Sequence, residues 1–288
     1  MKTALAFLCF ILCGVAAWAY IPSTHFIFDR LASSHGKGSY IIDTEVVFRE
    51  GADSYTVREN WIVHDDGSIR LFAQGPEGFR AFRVKKSNRV FWVDSNRAEH
   101  ADEATSDYFM FPLISRSSLD LKRFFVRWNI LPTDILGPRK SKDIKDVKDI
   151  KELAPEKEDF VRLGRVSGAV TYAYGTPTPP NSKPQAGLWI EQDAFLVRMM
   201  RSPTGAELAA NDYAPYSKNL WFPRQQTITF DNKSVAIRTV RVQSTELSRD
   251  QKAQLETSYL KSKPDVAATN WPRHALVSQV QEFYKRFR

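Results

Sequence analysis

The chain has 288 residues, 43% of them hydrophobic, with only two cysteines and a formal net charge of +8. The basic balance suits anionic surfaces such as phospholipid headgroups or acidic partners, or it is an ordinary solvated surface. Nucleic acid is disfavoured as a partner, because the basic residues alternate with aromatic ones on predicted strands instead of clustering on one helix.

Lys2 provides a short positive region, Ala4 to Val15 an apolar run, and Ala17-Trp18-Ala19 an A-x-A cleavage site. The apolar run is too short to span a bilayer, so residues 1–19 read as a secretory signal peptide cut after Ala19. Both cysteines, Cys9 and Cys13, would leave with it, and residues 20–288 would form one periplasmic domain without disulfide or thiolate chemistry. A lipid-modified Cys13 is the competing reading; the bulky Leu12 before it argues against that. No later stretch is apolar for long enough to cross a membrane.

A helix opens the mature chain, capped by Ser23 or Thr24, with Phe26, Ile27, Leu31 and Ala32 as its apolar stripe and Gly36 and Gly38 as its stop. Tyr40 to Phe48 alternates with period two and reads as a strand. Asp66-Gly67 predicts a two-residue hairpin turn that sets Val63 against Arg70, Trp61 against Phe72 and Glu59 against Gln74. A second hairpin about Ser87-Asn88 sets Val84 against Phe91, Arg83 against Trp92 and Phe82 against Val93. Two short helices follow between Thr105 and Ile130, and Pro132 closes them. The charge-balanced run Lys142 to Leu153 reads as a marginal helix or arm. Seven strands then run from Asp159 to Gln243, and two helices, about 248–261 and 272–287, form a C-terminal extension from about residue 247. The predicted class is mainly β (α+β): a half-open antiparallel β-barrel with a helical lid and extra C-terminal helices.

Catalytic constellations are missing from the sequence. Ser34-His35-Gly36-Lys37 fits S-x-x-K without its usual partner motifs. The five histidines lack metal-ligand spacing, and His64-Asp65-Asp66 sits at a turn where acidic residues serve conformation. No enzymatic activity, cofactor or metal is therefore expected.

Several stretches resemble the LolA/LolB-type periplasmic lipoprotein carriers and the RseB-type sensors related to them. Ser68-Ile69-Arg70-Leu71 followed by Arg89-Val90-Phe91-Trp92-Val93-Asp94 is similar to the family's arginine-bearing strand and next hairpin. Tyr108 to Ile114 resembles its apolar lid helix, Gly187 to Asp193 its late hairpin, and Phe222-Pro223 with Thr227-Ile228-Thr229 the strand after. Lys85-Lys86-Ser87-Asn88 departs from the usual glycine-containing turn. The resemblance implies a cavity for acyl chains, a role in lipoprotein transport and outer-membrane biogenesis, acylated lipoprotein or lipid as cargo, and inner- and outer-membrane transfer proteins as partners. It also implies that Arg70 helps hold the lid closed.

A fourteen-carbon chain needs roughly 11 kcal/mol of apolar shelter at about 0.8 kcal/mol per methylene. On the predicted registers Phe48, Trp61, Phe72, Phe195 and Met199 face inward, joined by Phe109, Phe111 and Leu113 of the lid, as the ligand-binding set. The same residues would equally make a closed, dry core. The alternative function is then a sensor or adaptor module that binds a protein partner.

Overall fold

The computed structural model describes residues 21–137, 158–179 and 181–288. The signal-peptide segment with Cys9, Cys13 and the Ala19 cleavage site, and the Lys142–Leu153 run, lie outside the described residues. Helix α1 (Thr24–Ser33) leads into β1 (Ser39–Glu50), β2 (Asp53–Val63), β3 (Ile69–Gln74), β4 (Arg80–Lys86), β5 (Arg89–Val93) and β6 (Glu99–Glu103). Helices α2 (Met110–Ile114) and α3 (Ser118–Arg127) follow. A second meander runs through β7 (Val161–Val166), β8 (Ala169–Tyr174), β9 (Gly187–Glu191) and β10 (Val197–Arg201). It continues with β11 (Glu207–Tyr216), β12 (Leu220–Phe230) and β13 (Lys233–Thr245). Four helices end the chain: α4 (Arg249–Ala253), α5 (Thr257–Ser262), α6 (Pro264–Ala267) and α7 (Val277–Phe287).

The thirteen strands form one antiparallel sheet in which each meander keeps sequence order and β1 pairs with β13 at the seam. The ends are β6 and β7, so the sheet is an open, half-closed barrel as expected. Four of the five residues of β6 are charged or histidine, which blunts that edge against pairing with another chain. No described helix is long and apolar enough to cross a membrane.

One face of the sheet carries the main core. Tyr40, Ile42, Val46 and Phe48 of β1 and Tyr55, Val57 and Trp61 of β2 join Leu208, Phe222, Ile228 and Ile237 from the other meander. On the outer face α5 and α6 pack Leu260 and Ala267 against Phe82, Val84 and Val93, while Leu247 and Leu255 cover Ile62.

Three expectations are corrected here. The first hairpin has a three-residue loop: His64 N–H donates to Ser68 O at 2.9 Å across Asp65-Asp66-Gly67, with Gly67 at φ 85°. That is the turn with a glycine bulge, and it adds one residue to the expected connection. Val63 therefore pairs with Ile69, and Trp61 with Leu71. A one-residue slip exchanges faces. Phe72 and Arg70 accordingly lie outside, against Phe82, and not beside Trp61 under the lid.

The second hairpin has the predicted register, with Val84 opposite Phe91 and Arg83 opposite Trp92. In β10 a register shift between Val197 and Met199 turns Val197 and Met200 inward and leaves Met199 partly exposed. The expected helix over 248–261 is broken into α4 and α5 by non-helical Glu256 (ψ 139°).

Candidate functional site

The interior expected to be a cavity is filled. Helix α7 buries Val280, Phe283, Tyr284 and Phe287, spaced along one helical face, against the inner side of the sheet. Phe283 packs edge-on against Phe48 at 5.2 Å, Tyr284 is tilted against Phe79 at 5.2 Å, and Phe287 stacks on Phe109 at 5.7 Å. Phe28 of α1 and Phe125 of α3 close the other half, 5.9 Å apart. What remains beside Trp61, Phe109 and Arg288 is a void of about 10 Å³. That is barely one water.

At the centre of this plug sits a carboxylate. Glu59 is 2% exposed and accepts hydrogen bonds from Arg288 Nε (2.8 Å), Tyr284 Oη (2.9 Å), Thr44 Oγ1 (3.0 Å) and Trp61 Nε1 (3.1 Å). The Arg288 guanidinium also lies 4.6 Å from the Phe283 ring and 5.2 Å from that of Trp61. Burial, with the Glu59 charge beside it, pushes the Tyr284 hydroxyl well above its ordinary pKa, so it stays a donor. Neither Glu59 nor Arg288 stands out in the sequence as a motif. The available signal was one glutamate interrupting the apolar face Tyr55, Val57, Trp61, Val63 of β2.

A real opening lies at the mouth of the barrel, where the 64–67 and 87–88 turns face α2 and α3. Its volume is about 750 Å³, within the range of small-molecule sites. Val63, Ile69, Tyr108, Phe111, Ile114 and Phe124 make the apolar wall, and Lys85, Arg116, Arg123 and Arg127 carry positive charge into it. The lid is anchored at its hinge by His35, whose Nδ1–H donates to Ser115 O at 2.6 Å, and by Arg116, which donates to Gly38 O at 2.6 Å. Burial drops the His35 pKa to about 4, so the ring is neutral at neutral pH.

Of the eight residues expected to line a ligand site, Phe111 alone lines this opening. Phe48, Trp61, Phe109 and Leu113 are buried in the packed core. Phe195 belongs to the β9–β10 turn (φ 56°), against Phe26 at 5.7 Å and Tyr172 at 6.1 Å. Phe72 and Met199 face away from the interior, as described above. Arg70 donates to Asn60 Oδ1 at 2.7 Å beneath α5, on the face opposite the lid. Burial lowers its pKa to about 10.

Among the described residues no cluster of His, Cys, Asp or Glu could hold a metal ion. No protein-family model matches the sequence, and no curated protein matches it. Solved structures of similar fold include a DUF1329 family protein from Desulfovibrio piger (12% identity, TM-score 0.48, 82% of this chain and 97% of that one). A LolA superfamily protein from Nitrosomonas europaea is similar at 10% identity and TM-score 0.48, over 83% of this chain and all of that one. The Pseudomonas aeruginosa MucA/MucB complex matches at 16% identity and TM-score 0.28, over 81% of this chain and 60% of the other.

Proposed function

We propose that the protein is a non-catalytic binding protein of the bacterial periplasm that shelters an acyl chain, of a lipoprotein or a lipid, at the barrel mouth instead of in the barrel interior. The observation that carries this reading is the 750 Å³ opening, whose wall includes Val63, Ile69, Tyr108, Phe111, Ile114 and Phe124 beneath a two-helix lid. An acyl chain laid there leaves water at about 0.8 kcal/mol per methylene. The filled interior favours a second reading, an adaptor with a closed core that binds a protein partner.

Titration with a fluorescent acyl probe separates the two. Phe111 is half-buried, so Phe111→Glu is expected to fold and to weaken probe binding about tenfold or more, because a carboxylate in an apolar wall is costly. Val240, 56% exposed on β13, is the control, and Val240→Glu is expected to leave binding unchanged. A folded protein that takes up no probe, or equal losses in both variants, would favour the adaptor.

A further inference from the structure

The charges around the mouth do not balance locally. Asp65 and Asp66 lie on the turn at one rim, 2.9 and 3.0 Å from His64 Nδ1, and Asp120 pairs with Arg123 at 3.3 Å. Arg116 is spent on the carbonyls of His35 and Gly38 and lies 5.6 Å from the Tyr40 ring. Two further cations, Arg127 and Lys85, have no carboxylate at ion-pair distance among the described residues. Arg127 stands 5.7 Å from the Phe124 ring and has no carboxylate partner among the described residues.

Lys85 is the more telling of the two. Strand β4 points it to the inner side, paired between Ile69 and Val90, and it is only 5% exposed. Its ammonium lies 5.0 Å from the Phe111 ring and 5.6 Å from that of Tyr108. One hydrogen bond, to Ser87 O, uses one of its three donors. Among the described residues no carboxylate lies at ion-pair distance from it, and Asp120 acts on it only from farther away, although lysines are almost never fully buried unless paired. Burial first, and then repulsion by Arg127, bring its pKa down to about 8, which keeps it mostly charged at neutral pH.

A buried, half-satisfied ammonium facing a second cation across an apolar opening is a seat for an anion. We infer that the mouth selects amphiphiles with an anionic headgroup, a carboxylate or a phosphate, whose oxygens take the open Lys85 donors while the chain lies against Tyr108, Phe111 and Phe124. The inference rests on the mouth being the acyl site, and it adds what the headgroup must be. Cation–π contact with Tyr108 and Phe111 holds the ammonium in place without neutralising it. The anion would form a charge-assisted hydrogen bond, the stronger kind, in a site partly closed to water.

Calorimetric titration with dodecanoate, dodecyl phosphate, dodecanol and inorganic phosphate tests it, on the wild type and on Lys85→Met, a swap of similar length without the charge. Dodecanoate and dodecyl phosphate are expected to bind about tenfold or more tightly than dodecanol. In Lys85→Met, checked for an unchanged melting transition, both should fall to the dodecanol level while dodecanol itself is unaffected. Equal affinity for dodecanol and dodecanoate in the wild type, or a preference that survives Lys85→Met, would overturn the headgroup assignment and leave the acyl site standing. Inorganic phosphate binding as tightly as dodecyl phosphate would overturn it in favour of a free-anion site. Failure of all three chain-bearing ligands to bind would overturn the acyl site itself.

Discussion

Replacing Glu59 with alanine is expected to cost about 3–5 kcal/mol of stability, the usual penalty for stripping one partner from a buried ion pair. The physical reason is the number of groups that converge on it. Arg288, Tyr284, Thr44 and Trp61 all donate to this one carboxylate, in a region whose void is at most about one water in size. Without it a buried guanidinium keeps its charge and three neutral donors lose their acceptor. Thermal unfolding should shift down by about 10 °C. The double variant Glu59→Leu with Arg288→Leu should recover much of the loss, since replacing both ions removes the stranded charge. If Glu59→Ala melts within a degree or two of the wild type, the carboxylate does not hold α7 in the sheet.

Phe283→Ala should cost a similar amount, about 3–5 kcal/mol, for a different reason. The ring is fully buried between Phe48, Tyr284, Phe287 and the Arg288 guanidinium, on a helix packed against the inner face of the half-closed sheet. The rigid surroundings cannot collapse into the space, so a cavity term adds to the lost burial. Acyl-probe binding at the mouth should be unchanged, because Phe283 does not line it. Chemical denaturation checks the stability and probe titration the binding. A loss of both together would mean that the interior and the mouth are one site.

The sequence shows the sheet more clearly than it shows what fills it. Period-two alternation in Tyr40 to Phe48 marks β1 and its inner face correctly, because one side meets core and the other meets water. The lid helices are legible from Ser117, whose side chain caps α3, and from the apolar residues after it. Facing fails where a single residue is inserted. Gly67 adopts a left-handed bulge that no alternation pattern announces, and the shift beyond Val197 does the same to Met199. Both errors move a named residue to the wrong side of the sheet.

Helix α7 was legible as an amphipathic helix but not as the occupant of the barrel. Nothing in the spacing of Val280, Phe283, Tyr284 and Phe287 says which apolar surface they meet. Sheet interior and outer face offer the same chemistry, and only the tertiary partner Glu59, more than two hundred residues away, selects one. The mouth was hidden for the same reason. Lys85 reads as a solvated turn lysine beside Ser87, and only the placement of Tyr108 and Phe111 over it makes it buried.

Photo-crosslinking with a diazirine-bearing dodecanoate, followed by peptide mapping, tests the central claim most directly. A chain seated at the mouth should label the segments 63–69 and 104–127, which line the opening, and Phe111→Glu should remove that label. Labels concentrated on α7, Phe48 or Trp61 would put the chain in the interior and contradict the account.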